Sequence, residues 1–560
     1  MAMSAQVKST RQVLRGTPVV PGVVLGPAVV PGPRVEPTID MNPVPEADRD
    51  AELQAFGKAT AAVAKRLQDR AAISSGSASE VLAANAAMAT DRGWQGAAEK
   101  LISTGSSAAA AAVAATAQFA DLFAKLGGLM AERVTDLNDI RDRVLAELSG
   151  LPEPGVPVPD VPSVLLADDL APADTAGLDP SLIIGLATSL GGPTSHTAII
   201  ARQLGIPCVV AVIGLDTVVA GTQVLIDGGA GELTVSPDEQ VAAKAVAAHQ
   251  LVAARTAAWS GPGATSDGHR VDVLANVQDG AGARVAAGTA AGGVGLFRTE
   301  LCFLDREKEP TVDEQAAIYR EVIEAFPESK VVLRTLDAGS DKPLRFASHP
   351  DEANPALGVR GIRIAARDNG LLDRQLDGVA AAAEGLRAPW VMAPMISTAA
   401  EAEWFAGKVR ERGLVPGVMI EVPAAALLAE RILEYVDFLS IGTNDLAQYT
   451  MAADRMSADL AELTDPWQPA VLSLVARTAA AGAAAGKPVG VCGEAAADPL
   501  LACVLVGLGV TSLSAAASAV AGVGAKLGAV SLDDCRRAAT AVSQTSDPAG
   551  ARAAARAILG

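Results

Sequence analysis

The chain has 560 residues and a formal net charge of −19, and only four of its residues are histidines. This acidic charge argues against a nucleic-acid partner, which would call for a basic face. At roughly 100 to 200 residues per domain, the length indicates about three or four domains with large cores.

The cysteines and the apolar segments predict the compartment. Five cysteines, with no CxxC pair, indicate neither a disulfide framework nor a zinc site, so a reducing cytoplasm is the simplest location. Three prolines between residues 18 and 27 interrupt the apolar segment that a secretory leader would need.

The uncharged stretch 499–525 is long enough to span a membrane. Its composition divides it into a helix at 500–508, a strand at 511–515 and a further helix, so we expect a buried part of an α/β domain.

The first third of the chain changes character twice. Residues 16–28 are short extended pieces joined by Pro and Gly turns. Residues 46–148 are Ala-rich with a helical pattern, and the last helix, 132–145, has apolar positions 134, 137, 140, 144 and 145 on one face. A Pro-rich break at 152–162 follows, and β-rich sequence then continues to residue 235. This order predicts a helical bundle inserted between two parts of a β-containing domain.

A glycine-rich turn, GGPTSHTA at 191–198, carries His196. An apolar run at 182–187 precedes the turn and a helical pattern follows it, so the order is strand, tight loop and helix. The N–H groups at a helix N-terminus attract anions. We therefore predict that His196 takes a phosphoryl group; the alternative is a capping or core histidine.

A helix and a hinge follow this domain. Ser236 as N-cap, Pro237 at the first helical position and Glu239 at the third predict a helix that runs to about Trp259. Residues 260–266 are a Gly/Pro-rich linker. We expect the bodies on either side of it to move relative to each other.

Eight apolar runs in the remainder of the chain predict buried parallel strands with helices between them. They lie at 271–277, 293–298, 331–336, 390–395, 417–422, 438–442, 488–492 and 512–515. Eight such repeats predict an eight-stranded α/β barrel, whose active site lies at the C-terminal ends of the strands.

Polar residues fall at those predicted strand ends. They are Arg298, Arg334, Asp337, Glu421, Asn444, Asp445, Cys492 and Glu494. We therefore expect them to meet at one site rather than to be scattered over both ends of the barrel.

The residue types indicate the chemistry of that site. Arg298, Arg334 and Arg455 offer planar guanidinium groups that bind phosphate and carboxylate, so they predict a small, highly anionic substrate. Glu421 and Asp445 suit a hard divalent ion such as Mg²⁺. The alternative is that these carboxylates only neutralise the arginines.

Cys492 lies in the sequence VCGE at 491–494, where a thiol would face a ligand. A buried, inert cysteine is the equally weighted alternative.

Several motifs resemble Enzyme I of the bacterial phosphoenolpyruvate-dependent sugar phosphotransferase system. The stretch from residue 191 to residue 210 resembles the phosphohistidine loop that Enzyme I shares with pyruvate phosphate dikinase and phosphoenolpyruvate synthase, and Thr197 is closer to Enzyme I. Six further motifs resemble Enzyme I in order and spacing: GLFRTE (295–300), LRTLD (333–337), NPALGVR (354–360), IGTNDLAQY (441–449), DR (454–455) and CGE (492–494). The resemblance covers nearly the whole chain and is weakest in the helical bundle.

The resemblance implies a multidomain α/β protein. Residues 1–44 and 150–236 would form a swivelling phosphohistidine domain, and residues 45–149 an inserted helical domain that binds the carrier protein. Residues 237–266 would be a linker helix and hinge, and residues 267–560 a phosphoenolpyruvate-binding (β/α)8 barrel.

The resemblance also implies the reaction and its residues. Phosphoenolpyruvate would phosphorylate His196, which would pass the group to the carrier protein HPr and so start sugar uptake. By the same resemblance, Glu421 and Asp445 would bind Mg²⁺ and Cys492 would protonate the enolate. The substrate would be held by Arg298, Arg334, Asn444, Asp445 and Arg455. A homodimer through the barrel domain is a further implication.

The sequence departs from the family pattern at a few positions. Ala171 replaces a threonine that can contact the active histidine, Ser340 replaces a glycine, and Val422 replaces a threonine. A histidine common in the family is replaced near Asn85, which puts the carrier interface in question more than the chemistry.

Two alternative functions can each be distinguished from Enzyme I by a feature of the sequence. A dikinase or a synthase would need a nucleotide-binding domain, and no P-loop precedes His196. A regulatory relay without turnover would have lost Glu421, Asp445 or Cys492, and all three are present.

Overall fold

A computed structural model gives the architecture. It describes residues 11–31, 42–73, 77–126, 128–151, 154–157, 159–170, 178–192, 195–304, 306–339, 344, 346, 352–365, 368–455 and 457–560. The chain divides into two compact units, Met1–Val252 and Ala253–Gly560. The departures at Ala171 and Ser340 lie outside the described residues.

An eight-stranded sheet organises the first unit, in the order β1-β8-β7-β3-β4-β5-β6-β2. Its strands are β1 (Gln12–Arg15), β2 (Thr17–Val20), β3 (Val23–Val29), β4 (Ser163–Ala167), β5 (Ile183–Thr188), β6 (Cys208–Val210), β7 (Gln223–Asp227) and β8 (Glu232–Val235). The strands from β3 to β6 are parallel to one another. This sheet carries the loop and helix that contain His196.

A helical bundle lies in the chain between β3 and β4, which are neighbours in the sheet. Its helices are α1 (Arg49–Ile73), α2 (Ser77–Ala89), α3 (Arg92–Ser103), α4 (Ala108–Leu126) and α5 (Gly128–Leu148). The apolar face predicted for the last helix is confirmed at Leu137, Ile140, Val144 and Leu145, which are all buried in the bundle core. The predicted insertion of a helical bundle into a β-containing region is therefore confirmed.

The helix after β8 begins differently from the prediction. Helix α7 spans Glu239–Ala258, after α6 at His196–Leu204. The N–H of Ser236 donates to the carbonyl of Gln223 at 2.9 Å and so extends the sheet beyond β8. The predicted N-cap, Ser236, is wrong, because the helix begins three residues later, at Glu239. Asp238 caps the helix instead, since its Oδ1 accepts from the N–H of Val241 at 3.0 Å.

A closed barrel of eight parallel strands forms the second unit, as the sequence predicted. The strands are β9 (Asp272–Val277), β10 (Gly293–Arg298), β11 (Lys330–Arg334), β12 (Trp390–Ala393), β13 (Val415–Ile420), β14 (Phe438–Ile441), β15 (Val489–Val491) and β16 (Ser512–Ala516). They coincide with the eight predicted apolar runs to within a few residues at each end.

Helices follow the barrel strands. They are α8 (Gly280–Ala287), α9 (Val312–Glu324), α10 (Ile362–Ala365), α11 (Asn369–Ala382), α12 (Ala399–Arg410), α13 (Pro423–Leu427), α14 (Ala429–Ile432), α15 (Thr443–Met451), α16 (Pro469–Ala485), α17 (Pro499–Gly507), α18 (Ala517–Leu527), α19 (Leu532–Val542) and α20 (Pro548–Leu559). Short 3-10 turns lie at Glu46–Asp48, Leu215–Thr217, Glu300–Cys302, Pro355–Leu357, Ala458–Leu460 and Glu494–Ala497.

The uncharged stretch 499–525 contains α17, β16 and most of α18, so the predicted helix, strand and helix are confirmed. Within the described residues, no helix combines the length and the apolar character that a membrane crossing requires.

Candidate functional site

A cavity of about 550 Å³ lies at the C-terminal ends of the barrel strands. Every site residue that the sequence predicted in the barrel lines this cavity: Arg298, Arg334, Glu421, Asn444, Asp445, Arg455 and Cys492. These side chains meet because parallel strands all end at the same face of a barrel.

Arg334, the last residue of β11, is held by two carboxylates. Its Nη2 donates to Glu300 Oε1 at 2.7 Å, and its Nη1 lies 3.0 Å from Asp337 Oδ2. Burial lowers the pKa of Arg334, but the two carboxylates outweigh burial and the net shift is upward. Arg334 therefore stays charged in a fixed orientation.

Arg360 is a second buried arginine beside this site, and sequence reasoning gave it no role. Its Nε and Nη2 donate to the two carboxylate oxygens of Asp337, at 3.2 and 2.8 Å. Its Nη1 donates to the Tyr449 hydroxyl at 3.2 Å and lies 3.6 Å from Asp445 Oδ1. Strand ends do not predict the position of Arg360, because this residue does not follow a predicted strand directly; its motif, NPALGVR, was the available signal.

Two further arginines line the open part of the cavity. Arg298 is the last residue of β10 and is half-buried, and it has no ion-pair partner among the described residues. Arg455 has a side chain that is 30% exposed, and its Nη1 lies 3.9 Å from Asp445 Oδ1. Positive charge that is so weakly compensated favours an anionic ligand.

Three buried carboxylates lie together in the site. Asp337, Glu421 and Asp445 each offer an oxygen atom, and these atoms lie within 4.8 Å of one another. Sequence reasoning identified Asp337 at a strand end but did not assign it to the metal. The strand end was the signal, because Glu421 and Asp445 follow neighbouring strands in the same way.

Two of these oxygens fit a cation. Glu421 Oε1 accepts from the N–H of Met395 at 2.6 Å. Glu421 Oε2 and Asp445 Oδ1 are buried and have no hydrogen-bond partner among the described residues. An unsatisfied buried carboxylate oxygen is costly, and a bound cation would remove that cost. The cluster is thus able to hold a metal ion.

Burial raises the pKa of Glu421 to about 8, with further contributions from the carboxylates of Asp337 and Asp445. The alternative of an ion-pair network applies to Asp445, whose Oδ1 lies 3.6 Å from Arg360 Nη1 and 3.9 Å from Arg455 Nη1. It applies also to Asp337, which two arginines contact. It does not describe Glu421, because no arginine in the described part of the chain donates to its carboxylate.

Asn444 connects two neighbouring strand ends. Its Nδ2 donates to Glu494 Oε1 at 3.2 Å, and its Oδ1 accepts from the N–H of Glu494 at 2.9 Å. Gly493 permits this approach, because a Cβ atom there would lie 2.0 Å from Thr443 Oγ1 and 3.0 Å from Asn444 Oδ1. The loop after β15 is thereby locked against the start of α15.

Cys492 follows β15 directly and is only 2% exposed. Its carbonyl accepts from Asn276 Nδ2 at 3.2 Å, and its Sγ lies 3.6 Å from the carbonyl oxygen of Ile441. Burial raises the pKa of the Cys492 thiol. The residue is therefore both buried and in contact with the cavity, and it keeps its proton at neutral pH.

The predicted histidine loop lies in the first unit. It leads from β5 to α6, which begins at His196 and is capped by Ser195, whose Oγ accepts from the N–H of Ala198 at 3.3 Å. Thr197 Oγ1 donates to Asp169 Oδ1 at 3.3 Å, a contact that the sequence did not predict. The predicted strand, loop and helix are confirmed; the side chain of His196 lies outside the description.

Models of three protein families match the chain. Residues 15–133 match the description "PEP-utilising enzyme, N-terminal", and residues 159–231 match "PEP-utilising enzyme, mobile domain". Residues 254–531 match "PEP-utilising enzyme, PEP-binding domain".

Curated relatives include two proteins named phosphoenolpyruvate-protein phosphotransferase. The one from Streptomyces coelicolor is 50% identical over 92% of this chain and 94% of its own length. The one from Haloferax volcanii is 41% identical over 76% of this chain and 78% of its own length. A multiphosphoryl transfer protein from Rhodobacter capsulatus is 44% identical over 73% of this chain, which spans 51% of that longer relative.

Proposed function

Because the chain belongs to the phosphoenolpyruvate-protein phosphotransferase family, we propose that it transfers the phosphoryl group of phosphoenolpyruvate to His196 and then to a histidine of the carrier protein HPr. The transfer to HPr would start sugar uptake. The observation that carries this proposal is the barrel cavity, which combines arginines for an anion with two unsatisfied buried carboxylate oxygens.

In this proposal the arginines orient the substrate. Guanidinium groups bind phosphate and carboxylate oxygens through paired hydrogen bonds, and phosphoenolpyruvate carries both groups. Arg298, Arg334 and Arg455 supply the positive charge, and Asn444 and Asp445 complete the substrate-binding set. The buried partners of Arg334 keep its guanidinium preorganised, which is how a site stabilises charge without reorganisation.

Glu421 and Asp445 are the proposed ligands of Mg²⁺, and their unsatisfied oxygens support this role. When bound there, Mg²⁺ would offset the negative charge of the transferring phosphoryl group.

The proposed reaction transfers the phosphoryl group to His196 and releases pyruvate. A ring nitrogen of neutral His196 forms a bond to phosphorus, the bond from phosphorus to the enol oxygen breaks, and its electron pair leaves with the enolate of pyruvate. Cys492 then gives its thiol proton to the enolate carbon, and solvent returns a proton to the sulfur. The raised pKa of Cys492 supports this role, because the thiol must be protonated beforehand.

The remaining parts of the proposal come from the family. They are a cytoplasmic location, a homodimer formed through the barrel domain, and docking of HPr on the helical bundle. The divergent segment around Asn85 makes that docking surface the part of the proposal with the least support in the sequence.

Pyruvate release tests the proposal. The protein is incubated with Mg²⁺ and phosphoenolpyruvate, and pyruvate is measured with and without added HPr. Continuous pyruvate release that depends on HPr is the expected result. A single turnover with no effect of HPr would indicate a relay that does not use this carrier.

A further inference from the structure

Gln375, in α11, is a buried amide whose hydrogen bonds connect two strand ends of the barrel site. Its side chain is 2% exposed. Its Oε1 accepts from the N–H of Leu336 at 2.9 Å. Its Nε2 donates to Thr299 Oγ1 at 3.0 Å and to the Tyr319 hydroxyl at 3.2 Å.

The partners of Gln375 fix the orientation of the amide. Thr299 Oγ1 donates its proton to the carbonyl of Arg334 at 2.9 Å, and the Tyr319 hydroxyl donates to Gln315 Oε1 at 3.0 Å. Each hydroxyl has one proton and has used it, so both must accept from Gln375. Both N–H groups of Gln375 therefore point at the two hydroxyls, and the amide oxygen faces the N–H of Leu336, two residues after the end of β11.

These bonds lie next to the residues proposed to hold the substrate. Thr299 stands between Arg298 and Glu300, and Leu336 immediately precedes Asp337. The N–H of Asp337 donates to Glu300 Oε1 at 3.1 Å, the same oxygen that accepts from Arg334. A shift between the ends of β10 and β11 would therefore move Arg298 and Arg334 relative to each other.

We propose that Gln375 is a positioning residue that fixes the distance between the arginines at the ends of β10 and β11. This inference rests on the proposed function, because the arginines are taken to bind phosphoenolpyruvate. Binding sites need supporting residues that hold their contacting groups within about 0.5 Å of the productive geometry. Gln375 meets this need with three hydrogen bonds and contacts no part of the cavity itself.

Three variants distinguish a positioning role of Gln375 from a role in protein stability alone. Gln375→Met removes every hydrogen bond of the amide and keeps an unbranched side chain of similar length. Thr299→Val removes only the branch that leads to Arg334, and it covers the case in which Gln375→Met fails to fold. Tyr319→Phe is the matched control, because it removes a buried hydrogen bond to the same amide on the side away from the site.

The readout is the KM for phosphoenolpyruvate and the kcat of HPr phosphorylation, with thermal denaturation alongside. Gln375→Met and Thr299→Val should raise the KM by about tenfold or more, since displacement of positioning groups by an ångström costs up to about a hundredfold. Tyr319→Phe should lose thermal stability but keep a KM within about twofold of wild type. A variant that only folds less well would lower kcat and leave the KM unchanged.

An unchanged KM in both Gln375→Met and Thr299→Val, with wild type active, would overturn this inference alone. An equal rise in KM for Tyr319→Phe would also overturn it, since the effect would then not depend on the branch through Thr299 that leads to Arg334. Absence of phosphoenolpyruvate turnover in wild type would overturn the proposed function and this inference together.

Discussion

At the scale of single residues, the carboxyl group of Glu421 is strongly affected by its surroundings. Burial raises its pKa to about 8, against an ordinary value of 4.5. In the metal-free protein the folded state therefore binds this proton more tightly than the unfolded state does. The contribution of this carboxyl group to the free energy of unfolding is fully present below about pH 4.5 and is lost as the pH rises through about 8.

Glu421→Gln should remove this part of the pH dependence. The free energy of unfolding of metal-free wild type should fall between about pH 5 and about pH 8, and the variant should show a smaller fall. Chemical denaturation across this range measures both. Glu430→Gln is the control, because Glu430 is an exposed glutamate in the same unit. If the unfolding free energy of wild type and of Glu421→Gln fell equally steeply with pH, the assignment of the raised pKa to Glu421 would be contradicted.

Arg334 provides a second prediction at this scale. Arg334→Met leaves Glu300 and Asp337 as buried carboxylates with one cation fewer, so the second unit should lose about 3 kcal/mol of unfolding free energy. Arg431→Met breaks a pair whose side chains are 72% and 52% exposed, and should cost no more than about 1 kcal/mol. Denaturation of the two variants side by side measures the difference. Similar losses would show that burial of the Arg334 pair has no energetic consequence.

The sequence predicted the residues that line the cavity well where each one lies at the end of its own strand. Arg298, Arg334 and Cys492 belong to this group, because strand direction alone brings them to one face. Arg360 was missed because it does not lie at the end of a strand, although it contacts Asp337. Loop paths depend on packing that the local sequence pattern does not specify.

At the scale of elements, the close contact between the loop after β15 and the start of α15 is specific to glycine. In Gly493→Ala the added Cβ would lie 2.0 Å from Thr443 Oγ1 and 2.7 Å from Thr443 N, so α15 must move. Asn444 and Asp445 are carried on that helix. Gly493→Ala should therefore weaken phosphoenolpyruvate binding by about tenfold or more, which calorimetric titration would measure.

Gly407→Ala is the matched control for this prediction. Gly407 lies within α12, and a Cβ atom there would have no neighbour within 4 Å. Alanine should stabilise this helix by up to about 1 kcal/mol and leave binding unchanged. Wild-type binding by Gly493→Ala would mean that the loop and α15 adjust without cost to the site.

The elements themselves were largely predictable, because their periodic apolar patterns are long. The eight barrel strands and the helical bundle follow from such patterns. The start of α7 was not predicted correctly, because the sequence offers two residues, Ser236 and Asp238, whose side chains can cap a helix. The structure shows that Asp238 is the cap, since its Oδ1 accepts from the N–H of Val241.

At the scale of the whole molecule, the central residues are divided between two units. His196 begins a helix in Met1–Val252, and the cavity residues belong to Ala253–Gly560. The proposed phosphoryl transfer from a ligand in the barrel to His196 would therefore require one unit to act on the other. The hinge at 260–266 stays a prediction from the sequence.

The most direct test of the proposed function is whether phosphoenolpyruvate phosphorylates His196. Wild type and His196→Ala are incubated with Mg²⁺ and phosphoenolpyruvate, and intact mass, acid lability of the adduct and pyruvate are recorded. We expect one acid-labile phosphoryl group and pyruvate in wild type, and neither in His196→Ala. A phosphoryl adduct on His196→Ala, or no adduct on wild type in the presence of Mg²⁺, would contradict it.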